Sequence, residues 1–388
     1  MAHLESRITG LVDAGALPCA ALVVVQDGQP ALRIEHGFAD LGDRRAIGPQ
    51  TLYRIFSMTK PVTAVAAMLL VQDGRLLLDD HVERHVPEFA RLQVARPDGS
   101  LEPARPMTVE HLLTHTSGLS YSFNPDSHAA PFYRKAGLEG GAWSSAPDMT
   151  GLDVLAQRLA TIPLDFQPGT RWQYSMGPDI LGLIIERVAG MSFDRFLAER
   201  VFTPLGMSDT AFAIPQGKRD RIASLYTPGP SGLSKLPGAV ASVPERPPLA
   251  PSGGGGLISS LDDYLRFAQM LCDDGGGLLG RPIVDLMTAN HLRPDQTAGL
   301  EAAARFGYGG SGAGLGFGLG GAVVADVAQS HSPGVVGEYG WGGAASTTFW
   351  VDRVNRIVVV FMTQLLPSGA IPVRDLLKAM VYGALPAN

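Results

Sequence analysis

Hydrophobic and polar positions change period several times along this chain, and each change predicts an element. Leu4, Ile8 and Leu11 fall at helical spacing and predict a short helix over 4–14. The β-branched run Ala20–Gln26, the turn signal Asp27-Gly28 and the returning segment Ala31–His36 predict a hairpin. A second hairpin is expected at the far end. There Ser346–Val351 and Ile357–Thr363, rich in Val, Thr and aromatic residues, flank the polar turn Asp352–Arg356. A helix over Pro372–Tyr382 follows. Between these ends, residues 58–300 read mostly as helices and long loops. The simplest architecture is α+β: an antiparallel sheet built from both chain ends with flanking helices, plus a mostly helical insertion. On this reading 1–80, 155–215 and 300–388 form the α/β domain with the sheet. Segments 81–154 and 216–299 form a smaller helical and loop domain covering the site. No internal repeat interrupts the pattern.

One helix of the middle region is clear. After Ser57, the residues Val62, Val65, Ala66, Leu69 and Leu70 recur at i, i+3 and i+4, and Gly74 supplies a stop. Pro61 fits only near the start of such a helix. Ser57 therefore falls at the helix N-terminus and Lys60 in its first turn. Loops are expected at Pro228–Pro230, Pro244–Pro251, Gly253–Gly256 and Gly307–Gly321. The Pro-, Gly- and Ser-rich stretch 215–256 reads as an ordered surface excursion or a partly mobile lid.

Composition narrows the class. The chain has 388 residues and a net charge of −6, with 45% hydrophobic residues. That is enough apolar material for a large core, and no basic run offers a footprint for nucleic acid. No apolar stretch approaches the ~18–20 residues that span a bilayer. The start, Met1 to Arg7, lacks the basic-then-apolar pattern of a signal peptide, so a cytoplasmic location is expected. Cys19 and Cys272 are too few for a disulfide framework. They are expected as buried thiols, with a bridge between them as the alternative.

Three features carry candidate chemistry. In Ser57-Met58-Thr59-Lys60, residues three apart face the same way, so hydroxyl and amine can meet. The helix N-terminus favours an alkoxide there, and a lysine stripped of its proton by burial can act as base. Tyr174, in Trp172-Gln173-Tyr174-Ser175-Met176 after the turn Pro168-Gly169, is a second candidate base. Gly340-Trp341-Gly342-Gly343 precedes the strand at 346. Its glycines permit close approach of a ligand, and an edge strand with free N–H groups can supply half of an oxyanion hole.

In order and spacing these three features resemble the Ser-x-x-Lys, Tyr-x-Asn and Lys-Thr-Gly elements of class C β-lactamases and penicillin-binding proteins. The likeness extends to Phe56–Lys60 with Leu77-Leu78-Asp79-Asp80, and to His111-Leu112-Leu113-Thr114-His115-Thr116-Ser117-Gly118-Leu119. It also takes in Phe166-Gln167-Pro168-Gly169 and the stretch from Gly254-Gly255-Gly256-Leu257 to Asp262-Asp263. It covers residues 15–385 and implies the β-lactamase/transpeptidase-like fold. Two departures stand out. Met176 replaces the asparagine and Trp341 the lysine of the lactamase motifs. Loss of that cation weakens carboxylate binding and makes the site more aromatic. The pattern is similar to that of the family VIII carboxylesterases, which cleave simple esters on this fold.

The resemblance implies a serine carboxylesterase for small or short-chain esters, acting through an acyl-enzyme on Ser57. Lys60 and Tyr174 form the proton-transfer pair, either one being the base. The backbone N–H groups of Ser57 and Ala344 hold the oxyanion. Trp341, Gly342, Gly343, Met176 and Tyr121 are the expected substrate-binding residues. Neither a metal nor an organic cofactor is implied. The alternatives are a weak β-lactamase, a D-amino peptidase or an acyltransferase of the same fold, and then a non-catalytic acyl- or peptidoglycan-binding module. No Gly-x-Ser-x-Gly elbow occurs, which disfavours an α/β-hydrolase. The pairs His81/His85 and His111/His115 have metal-ligand spacing, but a solvated face and structural hydrogen bonding account for them. Gly316-x-Gly318-x-x-Gly321 matches a dinucleotide fingerprint only formally, since no helix opens after it.

Overall fold

The computed structural model describes residues 1–385 apart from 97, 140, 141, 298 and 304–311. Helix α1 (Ala2–Asp13) leads into β1 (Cys19–Gln26) and β2 (Gln29–Asp40), followed by the short β3 (Arg45–Ala46). Helix α2 (Thr59–Gln72) carries the serine–lysine motif into the middle of the chain. Further on come α3 (Gly177–Ala189) and α4 (Leu261–Cys272). The chain then returns through β4 (Leu315–Phe317), β5 (Ala322–Val324), β6 (Tyr339–Gly342), β7 (Thr348–Asp352) and β8 (Ile357–Met362) to α5 (Val373–Gly383). The eight strands form one sheet in the order β4-β5-β6-β7-β8-β1-β2-β3, and every neighbouring pair is antiparallel. The two chain ends thus meet at its centre, where Val23 pairs with Val360 and Val24 with Val359.

Strand periodicity sends alternate residues of this seam to opposite faces. Leu22, Val24, Trp350, Val359 and Phe361 pack under α1 and α5, against Leu4, Ile8, Leu377 and Val381. Ala21, Val23, Phe349, Val358 and Val360 face α4, where Phe349 meets Tyr264 and Phe267. Both faces are covered, so β1 and β8 are apolar along their length instead of alternating. Helix α2 is buried all round from Thr59 to Leu70, the environment that takes Lys60 out of water. Gly74 ends the helical run at φ +69°, a left-handed conformation that glycine adopts without steric cost.

Three details differ from the sequence expectation. Part of the run expected as the loop Gly307–Gly321 is strand β4; residues 307–311 lie outside the described residues. A Cβ on Gly316 would lie 2.2 Å from the Asn290 side chain, so this glycine serves close packing and not a turn. Strand β7 begins at Thr348 and not at Ser346. Ser346 instead closes a turn, its N–H donating to Gly343 O at 3.1 Å with φ +65°. Finally, β6 is not an edge strand: it pairs with β5 at Tyr339 and Gly340 and with β7 along its length. Its end from Trp341 onward runs past the shorter β5, and that overhang leaves it open on one side.

The middle region is mainly helical, with short two-stranded ladders such as Tyr226–Gly229 with Gly232–Lys235. The excursion around this ladder is fastened to the body. Tyr226 N–H donates to Gln364 O at 2.9 Å, and the Arg54 guanidinium donates to Ala223 O at 2.7 Å and to Ala241 O. Cys19 and Cys272 are buried and unbridged. Among the described residues, no helix is long and apolar enough to cross a membrane.

Candidate active site

Ser57 lies in a single 3₁₀ turn, Phe56–Met58, that runs straight into α2. Phe56 holds φ +44°, a strained conformation for a bulky residue. The surroundings impose it. Ile55 N–H donates to Leu257 O at 3.2 Å, Leu257 N–H donates to Thr59 Oγ1 at 3.2 Å, and the Tyr264 hydroxyl donates to Met58 O at 2.8 Å. The turn is thus clamped on both sides, and Ser57 stays partly open to solvent.

Lys60, one helical turn on, donates from Nζ to Ser57 Oγ at 3.1 Å and to Gly254 O at 2.6 Å. The Tyr174 hydroxyl donates to the same Oγ at 2.6 Å, and the ammonium stands 4.4 Å from the centre of the Tyr174 ring. Lys60 from the same helical run and Tyr174 from a separate segment therefore converge on the Ser57 oxygen. Tyr174 comes from an irregular segment whose backbone is pinned on either side of it. Trp172 N–H donates to Gln296 O at 2.9 Å, Gln173 N–H to His115 O at 2.8 Å and Met176 N–H to Ser120 O at 3.2 Å.

Two buried groups complete the polar floor, and neither was expected there from the sequence. Asp179, in the first turn of α3, accepts from Ser252 Oγ at 2.6 Å and from Gly254 N–H at 2.9 Å. Burial pushes its carboxyl pKa up, against the pull of those bonds and of the Lys60 charge. A Cβ on Gly254 would lie 2.7 Å from Asp179 Oδ2 and 2.9 Å from the Tyr121 hydroxyl. Only glycine lets this backbone reach both Lys60 and Asp179. His115, wholly buried against Trp172, Tyr174 and Phe317, has its pKa driven far below the usual imidazole value by desolvation and by Lys60. It is a neutral ring bonded at 3.0 Å to Ser175 Oγ. His111 caps the helix Val109–Leu113, its Nδ1 accepting from Thr108 N–H. His85 reaches Asp80 at 3.3 Å.

The open end of β6 forms the opposite side. A Cβ on Gly343 would lie 2.3 Å from Ile55 O, so glycine is needed for the strand end to lie against the nucleophile turn. Gly342 pairs with Thr348, and Ala344, partly exposed, follows in the Gly343–Ser346 turn. Trp341 is fully buried. Its ring is 5.8 Å from Tyr174 and 5.3 Å from Phe317, and its indole N–H has no partner among the described residues. Met176 is also fully buried, at the N-terminus of α3. Tyr121 sits 5.2 Å from Tyr174 and stacks at 4.8 Å on Phe123, which is 47% exposed. Burial, Asp179 and Tyr174 hold the Tyr121 phenol well above its ordinary pKa, so it stays protonated.

A serine bonded by lysine and tyrosine at the head of a buried helix, beside the open end of an antiparallel sheet strand, defines a serine hydrolase of the β-lactamase/transpeptidase-like fold. The chain belongs to the beta-lactamase family, whose model matches residues 4–381. Its relatives include esterase EstB from Burkholderia gladioli, 34% identical over 401 residues, covering 98% of this chain and 96% of that protein. Lovastatin esterase from Penicillium rubens is 33% identical over 331 residues, 78% of this chain and 76% of its own. Among solved structures, EstCE1, a hydrolase with promiscuous acyltransferase activity, superposes with a TM-score of 0.78. It is 27% identical, over 94% of this chain and 93% of that one.

Proposed function

We propose that this protein hydrolyses small, neutral carboxylic esters through an acyl-enzyme on Ser57. The observation that carries this reading is the convergence of Lys60 Nζ and the Tyr174 hydroxyl on Ser57 Oγ, at 3.1 and 2.6 Å. In the reactive form the Lys60–Tyr174 pair lacks one proton, as a neutral amine or as a phenolate; Ser57 Oγ bonds to the ester carbonyl carbon and its proton passes to that vacant site on the pair. The backbone N–H groups of Ser57 and Ala344 stabilise the oxyanion. The C–O bond to the alcohol breaks, and the departing alkoxide takes the proton back from the pair. Water then repeats the sequence on the acyl group and releases the acid. The aromatic surround of Trp341, Tyr121 and Phe123 favours an uncharged substrate over one with a carboxylate beside the scissile bond. The esterase relatives support the ester substrate class. The unbridged, buried thiols suit a reducing compartment, and we assign the protein to the cytoplasm.

The test is hydrolysis of p-nitrophenyl acetate and butyrate beside nitrocefin, by the wild type and by Ser57→Ala. Ester cleavage with little nitrocefin turnover and an inactive variant is expected. Nitrocefin turnover equal to or above ester turnover would refute the reading. The acyltransferase activity of EstCE1 favours a second reaction here, acyl transfer to an added alcohol in place of water. Product analysis with methanol or butanol present measures it directly.

A further inference from the structure

Arg374 lies near the start of α5, behind the turn that joins β6 to β7, and is buried. Its Nη2 donates to Gly343 O at 2.6 Å and to Thr347 O at 3.0 Å, and its Nη1 reaches Ser368 Oγ at 3.4 Å. Its Nε has no partner among the described residues, and none of the ion pairs there includes it. A buried guanidinium hydrogen-bonded to carbonyl oxygens and a hydroxyl, with the charge of Asp375 acting on it only at a distance, is an expensive arrangement, since taking a charge out of water is costly. The cost is visible in the guanidinium pKa, pulled down to about 10 by burial. The apolar stripe of α5, Val373, Leu377 and Val381, gives no reason for a charge beside it.

The geometry of the peptide unit supplies a reason. Gly343 C=O and Ala344 N–H belong to one trans amide, and in such an amide they point in opposite directions. A cation on the carbonyl side therefore sits behind the N–H. It draws electron density through the amide, which strengthens that N–H as a donor, as bonds in a chain polarise one another. It also fixes the plane of the amide, with help from Ser346 N–H, which donates to the same oxygen at 3.1 Å. We propose that Arg374 is a positioning residue for ester cleavage: by bonding Gly343 O it orients and polarises the amide whose Ala344 N–H receives the oxyanion. The proposal rests on the acyl-enzyme reading above. The arginine is hydrogen-bonded to the carbonyl side of this amide, and its charge also stands within electrostatic reach of the Tyr174 phenol.

The variants that test it are Arg374→Met, Arg374→Gln and Arg374→Lys, assayed on p-nitrophenyl butyrate. Removing a whole oxyanion donor costs about 10²–10³-fold in kcat, so weakening one is expected to cost about 10–100-fold. KM should change by less than about threefold, because the neutral ester carbonyl gains little from the hole. Arg374→Lys, which keeps the charge, should recover part of the loss. Arg374→Met strips bonds from Gly343 O and Thr347 O and should lower Tm, whereas Arg374→Gln, which keeps a donor, should lose kcat with a smaller change in Tm. Arg374→Gln keeps a donor without the charge and provides the measurement if the methionine variant does not fold.

A direct readout is the carbonyl stretch of the carbamoyl-enzyme made with carbonyl-¹³C p-nitrophenyl N,N-dimethylcarbamate. A weaker hole should move it to higher frequency in Arg374→Met and Arg374→Gln. Unchanged kcat, or a loss that tracks Tm with an unmoved carbonyl band, would overturn the proposal and leave Arg374 a packing residue. A wild-type protein left unlabelled at Ser57 would instead overturn the acyl-enzyme reading beneath it.

Discussion

Lys60 reaches the Asp179 carboxylate through one residue, Gly254: the lysine ammonium donates to its carbonyl at 2.6 Å, and its N–H donates to Asp179 at 2.9 Å. The two side chains are thereby held in fixed relation on the buried side of the serine. Asp179→Ala should leave the Ser252 hydroxyl and the Gly254 N–H unpaired, at about 1–3 kcal/mol each. Asp179→Asn keeps an acceptor oxygen and should retain more activity and a higher Tm. Comparing kcat/KM for p-nitrophenyl butyrate with thermal unfolding of both variants checks the order. Equal losses in the two would mean that the hydrogen bonds do not matter.

Ser57→Ala, Lys60→Met and Tyr174→Phe remove three groups that act on one oxygen. Each should lower kcat by about 10³-fold or more, and combining any two should add little, because groups acting as a unit are non-additive. Labelling of Ser57 by a fluorophosphonate, read by intact-protein mass spectrometry, should vanish in Ser57→Ala and slow strongly in the other two. Full multiplicative losses in the double variants would argue against a shared role.

His115 gives the fold a pH dependence of defined sign. Burial and the Lys60 charge depress its native pKa well below 6.5. The unfolded chain therefore binds this proton first as pH falls. Stability should be unaffected above about pH 7 and decline below about pH 6.5, by up to about 1.4 kcal/mol per pH unit from this residue. Urea unfolding at pH 7.5, 6.0 and 5.0 measures the slope. The imidazole nitrogens should report a neutral ring by NMR throughout, while the fold persists.

Gly343→Ala and Gly10→Ala should act in opposite directions. The first places a Cβ 2.3 Å from both Ile55 O and Thr347 Oγ1, which forces the strand end from the nucleophile turn and should abolish most activity. The second places a Cβ in open space within α1, where alanine is favoured over glycine by about 0.5–1 kcal/mol. Thermal unfolding should show a lower Tm for Gly343→Ala and a small rise for Gly10→Ala, with esterase activity kept in the latter.

Much of the fold was legible because local patterns and burial agreed. The helix with Leu4 and Ile8, both terminal hairpins and the helix after Ser57 lie within a few residues of their expected limits. The returning strands β4 and β5 were not, because each has only three residues and the glycine-rich run that holds β4 and leads into β5 read as a loop. Within the site, Ser57, Lys60 and Tyr174 announced themselves by motif. Asp179 lay unread in an otherwise apolar run, although a lone acid beside Gly177-Pro178 at a helix start was a signal that could have been followed. Arg374 was hidden for the opposite reason: a charge next to the stripe Val373, Leu377 and Val381 looks like ordinary helix surface.

By itself the sequence determined what short-range chemistry dictates: which segments are strands or helices, and that Ser57 and Lys60 share one helix face. Only the tertiary structure decided what stands opposite that face. It joined residues 117 positions apart at Ser57 and Tyr174, set Gly254 between Lys60 and Asp179, and put Arg374 behind Gly343. Those contacts follow from close approach of backbones at Gly254 and Gly343. Such approaches are fixed by how the sheet, α2 and α3 pack together, and no local pattern encodes them.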